Sequence, residues 1–239
     1  MRFLISFFFW FVTVLATVLL CLVLTLHYIF IRPFDRERRY AHVQGYWWSE
    51  IIMGVNPLWS LTVKGLQNID PQKAYVIVAN HQSLADIVMV YRIRRQFRWV
   101  AKDSLFRIPI FGWCMVMMNY IRLVRGEYSS VKNAYRQAAL CLQQGVSVLF
   151  FPEGTRSTTG QMNPFKNGAF KLAIEAKVPI VPIRIEGTAD IIRRGDWIFK
   201  EKADCRLTVL PPIDTQIYTP QESSHLKEKV RQILIDAAS

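Results

Sequence analysis

Two short strings in this 239-residue sequence carry side chains suited to proton transfer and to anion binding. The first is Asn80-His81-Gln82-Ser83-Leu84-Ala85-Asp86, set where an apolar strand pattern ends and an apolar helix pattern begins. In α/β folds, sites collect at such strand ends. A His and an Asp five residues apart on one straight helix would point about 140° away from each other. Their meeting therefore requires His81 in the turn and Asp86 folded back toward it from the first helical turn. Asp86 would then accept the Nδ1 proton of His81, leaving the Nε2 lone pair to take a proton from an alcohol. This is the orienting logic of a catalytic triad, with a substrate hydroxyl in the place of the serine. Two other readings stand beside it: His81 as an ordinary surface or capping residue of a turn, and Ser83 as a nucleophile, although no G-x-S-x-G elbow surrounds Ser83.

The second string is Phe151-Pro152-Glu153-Gly154-Thr155-Arg156-Ser157, directly after another apolar strand pattern. Gly154 permits a tight turn, and Arg156 offers a planar fork of donors suited to phosphate. With each residue at about one in twenty, a given seven-residue string arises by chance on the order of once in a billion start positions. It is the most specific signal in the chain.

With both strings present in this order, the sequence resembles the glycerolipid acyltransferase family that includes the 1-acyl-sn-glycerol-3-phosphate acyltransferases, whose signatures are N-H-x-x-x-x-D and F-P-E-G-T-R-S. The resemblance runs from Leu61 to Pro212 and takes in two weaker blocks. In Tyr120-Ile121-Arg122-Leu123-Val124-Arg125, Arg125 matches an arginine of the family that helps to bind the acceptor's phosphate, while Val124 stands where relatives often carry Asp or Asn. Val178-Pro179-Ile180-Val181-Pro182 is similar to the last block, and its prolines suggest an edge strand beside the site.

The resemblance implies that His81 is the general base on the sn-2 hydroxyl of lysophosphatidic acid and that Asp86 orients it and balances its charge. It also implies that Arg125, Glu153, Gly154, Thr155 and Arg156 bind the glycerol-phosphate moiety. The donor would be acyl-CoA or acyl carrier protein, the product phosphatidic acid in phospholipid biosynthesis, and no cofactor is expected. The chemistry agrees. An alcohol needs a base to attack a thioester, whereas the thiolate leaves with little help. No residues show the spacing of a metal site. Another lysophospholipid, or glycerol 3-phosphate itself, is the alternative acceptor.

These residues need a scaffold, and from Leu61 onward short β-branched runs alternate with helical segments. That pattern predicts an α/β fold: a mixed, largely parallel sheet flanked by helices. Strands are expected at Leu61 to Lys64, Tyr75 to Ala79, Arg98 to Ala101, Val146 to Phe151, Ile180 to Glu186 and Arg206 to Leu210. Ser129 and Ser130 can cap a helix that stops near Gly145, and Thr219-Pro220-Gln221-Glu222 reads as a capping box. The methionine-rich stretch from Leu105 to Tyr120 suits either core or the adaptable wall of an acyl-chain tunnel.

Before the scaffold, Phe3 to Ile31 is almost continuously apolar, more than the roughly 20 residues that span a bilayer. A single span and a re-entrant helical hairpin both fit, and a cleaved signal fits less well because the apolar run is too long. Arg32, Arg36, Arg38 and Arg39 follow it, against Arg2 alone before it, which places the catalytic body on the cytoplasmic side of the inner membrane. Tyr46, Trp47, Trp48 and Trp59 then suggest either an interfacial belt or a buried aromatic cluster. The expected organisation is an N-terminal membrane anchor (1–32), an interfacial aromatic segment (33–60) and a catalytic domain (61–239). The formal charge of +12 fits an anionic partner. An anionic phospholipid membrane is the expected partner and nucleic acid is not; the dispersed basic residues and the two chemical strings argue against a protein whose charge is its function. A non-catalytic basic membrane protein is the alternative from another class. Four scattered cysteines read as free thiols.

Overall fold

The structure, a computed structural model, describes residues 2–157 and 160–238. At its centre is a seven-stranded sheet in the order β1-β7-β6-β2-β5-β3-β4. The strands are β1 (Trp59–Lys64), β2 (Val76–Ala79), β3 (Phe97–Lys102), β4 (Ile121–Leu123), β5 (Ser147–Phe150), β6 (Ile180–Glu186) and β7 (Ala203–Val209). Neighbours are parallel throughout, except where β7 runs antiparallel to β6. The fold class is therefore the expected one, a mixed and largely parallel sheet flanked by helices.

Alternation along β2 shows how the layers assemble. All four of its residues are fully buried, because successive side chains point to opposite faces and both faces are covered. Val76 and Val78 join a core with Ala134 and Ala138 of α6 (Tyr128–Gln143), Phe170 of α7 (Gly168–Ala176) and Leu226 and Val230 of α8 (Ser223–Asp236). Ile77 and Ala79 join the opposite core, with Ala41 and Met53 of α2 (Arg39–Gly54) and Val88 and Met89 of α3 (Ala85–Val90). The methionine-rich stretch forms α4 (Asp103–Phe106) and α5 (Phe111–Met117) on this second side.

The long apolar run forms α1 (Arg2–Phe30). Its Phe3–Phe30 segment is the one helix among the described residues long and apolar enough to cross a membrane. One stripe of α1, including Ser6, Phe9, Ala16 and Leu24, is buried, while Phe7, Phe11, Val14, Leu22 and Leu26 face outward. The stripe lies against the body. Ser6 Oγ accepts the N–H of Phe199, and the Phe9 ring packs on Trp59 and Phe199. At the other end, Asp35 closes the corner into α2 by accepting bonds from His27 and the Ala41 N–H. Gly45 allows α2 to approach the sheet layer, since a Cβ there would stand 2.3 Å from the Tyr91 ring. The aromatic segment divides: Trp59 is buried, whereas Trp47 points outward.

Three local expectations need correction. Ser129 and Ser130 lie inside the first turn of α6 rather than capping it. The Ser129 hydroxyl donates to Glu127, and Ser130 Oγ accepts the Val124 N–H, tying the helix start to the end of β4. Pro182 is on an interior strand, not an edge. β6 lies between β7 and β2, and the regular β6–β7 ladder stops at Ile183 and Val209, so the missing N–H falls just past its end. From there the chain continues through Leu210, whose N–H reaches the Pro182 carbonyl, to an isolated bridge at Ile213. Strand β4, three residues long, was not expected at all. The capping box at Thr219 is present, with the Glu222 carboxylate accepting the Thr219 N–H.

Candidate active site

β2 and β5 are adjacent and parallel, so the two chemical strings leave the sheet side by side at the same end. Asn80 fixes the first as it leaves β2: its side chain donates to the Ile185 carbonyl at 2.8 Å and accepts the Ile185 N–H at 2.7 Å. Next, the His81 N–H donates to Glu153 Oε1 at 2.7 Å, and the His81 carbonyl accepts the Ser157 N–H at 2.9 Å. The catalytic candidate is thus clamped on both sides of its backbone by the second string.

The His81 side chain is held as tightly as its backbone. Its ring stacks on Phe151 with centroids 4.0 Å apart and planes 8° from parallel. Nδ1 lies 2.8 Å from Asp86 Oδ2. The same oxygen accepts the N–H groups of Gln82 and Ser83 at 2.6 and 2.9 Å. These two bonds are why Asp86, in the first turn of α3 and fully buried, folds back onto the turn as the five-residue spacing demands. Ser83 is not placed as a nucleophile. It is fully buried, its hydroxyl donates to the Ile192 carbonyl at 2.7 Å, and the same oxygen accepts the Ala85 N–H.

In the second string, Glu153 is buried and both its oxygens are taken, one by the His81 N–H and one by the Asn163 N–H at 2.9 Å. Burial pushes its carboxyl above the usual range, against the pull of those two donors. The carboxylate braces the turn through both of its oxygens. Gly154 takes φ 71°, and a Cβ there would press on the Lys166 side chain at 3.0 Å. Thr155 is exposed and Arg156 half-buried. Burial and the neighbouring Arg194 guanidinium hold Arg156 below the usual arginine range, while Asp86 acts in the opposite sense. Arg194 also donates to the Arg156 carbonyl at 2.8 Å. An anion lodged there would relieve the repulsion between the two guanidinium groups.

A cavity of about 160 Å³ opens beside His81. Gly154, Arg125 and Lys102 line its polar part, and Leu24, Trp48, Met115 and Met118 line its apolar part. The expected Arg125 therefore shares a cavity with the expected base. Lys102 and Arg194 were not foreseen. The signal for Lys102 was its place at the end of a parallel strand; Arg194 had no local pattern to mark it. Among the described residues, no cluster of three or more His, Cys, Asp or Glu side chains could hold a metal ion.

The profile of the acyltransferase family matches residues 60–186, the span that contains both strings and Arg125. The chain belongs to the acyltransferase family. It is 36% identical over 200 residues to the chloroplastic 1-acyl-sn-glycerol-3-phosphate acyltransferase BAT2 of Brassica napus, covering 83% of this chain and 57% of that protein. To the alpha form of 1-acyl-sn-glycerol-3-phosphate acyltransferase of Homo sapiens it is 33% identical over 182 residues, covering 72% and 62%. The chain spans about half to three-fifths of the length of such acyltransferases. Its fold matches the crystal structure of the 1-acyl-sn-glycerophosphate acyltransferase PlsC of Thermotoga maritima, with a TM-score of 0.82 and 25% identity over the whole of both chains. That acyltransferase match includes the N-terminal helices and β7, which lie outside the family profile.

Proposed function

We propose that this chain transfers a fatty-acyl group from acyl-CoA or acyl carrier protein to the sn-2 hydroxyl of lysophosphatidic acid, giving phosphatidic acid. The observation that carries this reading is the Asp86–His81 pair at 2.8 Å beside a mainly apolar cavity that Lys102 and Arg125 also line. Asp86 accepts a hydrogen bond from Nδ1–H, which leaves Nε2 as the basic nitrogen. As the acceptor oxygen attacks the thioester carbon, its proton passes to Nε2. The C–S bond then breaks, and the leaving thiolate takes the proton back. No acyl-enzyme forms, in keeping with a Ser83 whose hydroxyl is already engaged.

Arg125, Lys102 and Arg156 are assigned to the acceptor's phosphate, with Gly154 and Thr155 shaping the loop that approaches it. We assign Glu153 to positioning rather than to substrate contact. Lys102 and Arg125 on one small cavity, with Arg156 in the adjoining string, favour a phosphomonoester over a lysolipid with a larger headgroup. For the membrane, the buried stripe of α1 supports a reading in which the helix lies along the body within one leaflet. A helix held to the body from Ser6 to Leu24 is not free to cross alone. The charged corner at Arg32 to Arg39 then stays at the cytoplasmic headgroups of the inner membrane.

The test uses purified, detergent-solubilised protein with radiolabelled acyl-CoA, offered lysophosphatidic acid, lysophosphatidylcholine or glycerol 3-phosphate in parallel. Label should appear in phosphatidic acid with the first acceptor. Label appearing only with either of the others would overturn the assignment.

A further inference from the structure

A second cavity of about 380 Å³ adjoins the one beside His81, and the two share a wall. The order of residues along three helical segments shows where that wall stands. Along α2, Gln44 lines only the His81 cavity, Trp48 lines both, and Ile52 lines only the second. These positions recur every four residues, so they share one face of the helix. On α1 the same order runs in the opposite direction: Val14 lines only the second cavity, Thr17 both, and Leu24 only the first. Around α5, Ile108 lines only the second, Phe111 both, and Met118 only the first. All three segments therefore change cavity at the same level. There the Trp48 indole is fixed by an Nε1–H bond to Thr17 Oγ1 at 3.0 Å and packs against Phe111 and Tyr91.

The two chambers differ in what bounds them. The first contains His81, is bounded on its apolar side by the buried Leu24, Met115 and Met118, and carries the exposed Lys102 and Arg125 on its polar side. Charged side chains are absent from the lining of the second, and its rim includes the exposed Val14, Leu84 and Ile108, beside the outward apolar face of α1.

Resting on the function proposed above, in which two substrates each bring one hydrocarbon chain, we propose that each chain has its own chamber and that Trp48 is the partition between them. The His81 chamber takes the acyl chain being transferred. The second chamber takes the chain already esterified to the acceptor, which enters sideways from the lipid that bathes α1, while the acceptor's phosphate stays with Lys102 and Arg125 on the His81 side of the partition. Trp48 thereby determines specificity by keeping the two chain-length limits independent.

The experiment fills each chamber separately and reads two selectivity ratios. Met118→Trp should lower kcat/KM for palmitoyl-CoA relative to decanoyl-CoA by about tenfold or more, the scale at which apolar pockets discriminate chain length. It should leave the ratio between 1-palmitoyl and 1-decanoyl lysophosphatidic acid unchanged. Ile52→Trp should do the reverse, and Trp48→Ala should relax both ratios together. In wild-type protein, which needs no substitution to fold around, acyl-CoA with a diazirine at its chain end should photolabel peptides holding Leu24 or Met118. The matching lysophosphatidic acid probe should label those holding Val14 or Ile52.

Reversed labelling, mixed labelling, or Trp variants that shift both ratios alike would overturn the two-chamber assignment. A wild type that transfers no acyl group to any acceptor would instead overturn the function on which it rests, a result distinct from active protein with unshifted ratios.

Discussion

The turn after β2 and the α1–α2 helix pair bound the same cavity, yet they are held by different forces. At the turn, His81 is fixed by four directional contacts: its backbone N–H on Glu153, its carbonyl under Ser157, its Nδ1 on Asp86 and its ring on Phe151. The helix pair rests mainly on shape, with Phe9 against Trp59 and Phe199, supplemented by scattered hydrogen bonds such as Ser6 to the Phe199 N–H, Ser49 to the Val88 carbonyl and the Trp48 indole to Thr17. On the proposed function, the difference follows from the tasks. A general base must stand within about 0.5 Å of its productive position, whereas hydrocarbon needs only an apolar wall that can adapt. Substitutions at the turn should therefore cost activity far more than substitutions of similar size in the wall.

Asp86→Asn keeps the volume and one acceptor for the turn's N–H groups but cannot hold the imidazole in the required tautomer as a carboxylate does. We expect kcat to fall by about 10²–10⁴-fold with little change in KM, the scale of a misplaced general base. Steady-state kinetics on folded mutant checks this, and a loss under about tenfold would remove the contrast. Arg156→Ala should raise the acceptor KM by about 10- to 100-fold, the worth of a charge-assisted contact, with a smaller change for the acyl-CoA KM. An unchanged acceptor KM would contradict its phosphate-binding role.

On the helix side, His42 is buried between α2 and the sheet, and burial, aided by Arg98, lowers its pKa from 6.5 to about 3. The unfolded chain therefore binds a proton that the folded chain refuses. Stability is full above pH 6.5 and declines as pH falls toward 3, by about 1.4 kcal/mol per pH unit for this one group. Thermal denaturation across that window should show a slope that His42→Phe flattens, and an identical slope in the variant would exclude His42 as its source. Least affected should be Met115→Leu, a swap of nearly equal volume in the cavity wall. We expect a cost below about 1.5 kcal/mol in stability, measured by denaturant midpoint, and turnover within a few-fold of wild type.

The same division separates what was legible in the sequence from what was not. The turn could be read because its chemistry is local: the five-residue offset of His81 and Asp86 admits one geometry, and the structure has it. Strand β2 was legible from its apolar run, and its neighbour β5 likewise. The packing of α1 was not, because a helix apolar on every side carries no mark of which stripe faces the body. Lys102 and Arg194 reach the site from separate elements, and no local pattern announces a residue whose partners are distant. Pro182 misled for a related reason. A proline in a strand signals an edge only where the ladder beside it is regular, and the end of the regular ladder at Val209 is a tertiary fact.

Acyl transfer by His81→Ala beside wild type, in one assay with radiolabelled acyl-CoA and lysophosphatidic acid, tests the central claim most directly. Circular dichroism and thermal unfolding would establish that the variant is folded. The account predicts phosphatidic acid from the wild type and a rate lower by about 10²–10⁴-fold from the folded variant. Transfer by folded His81→Ala at the wild-type rate would contradict it.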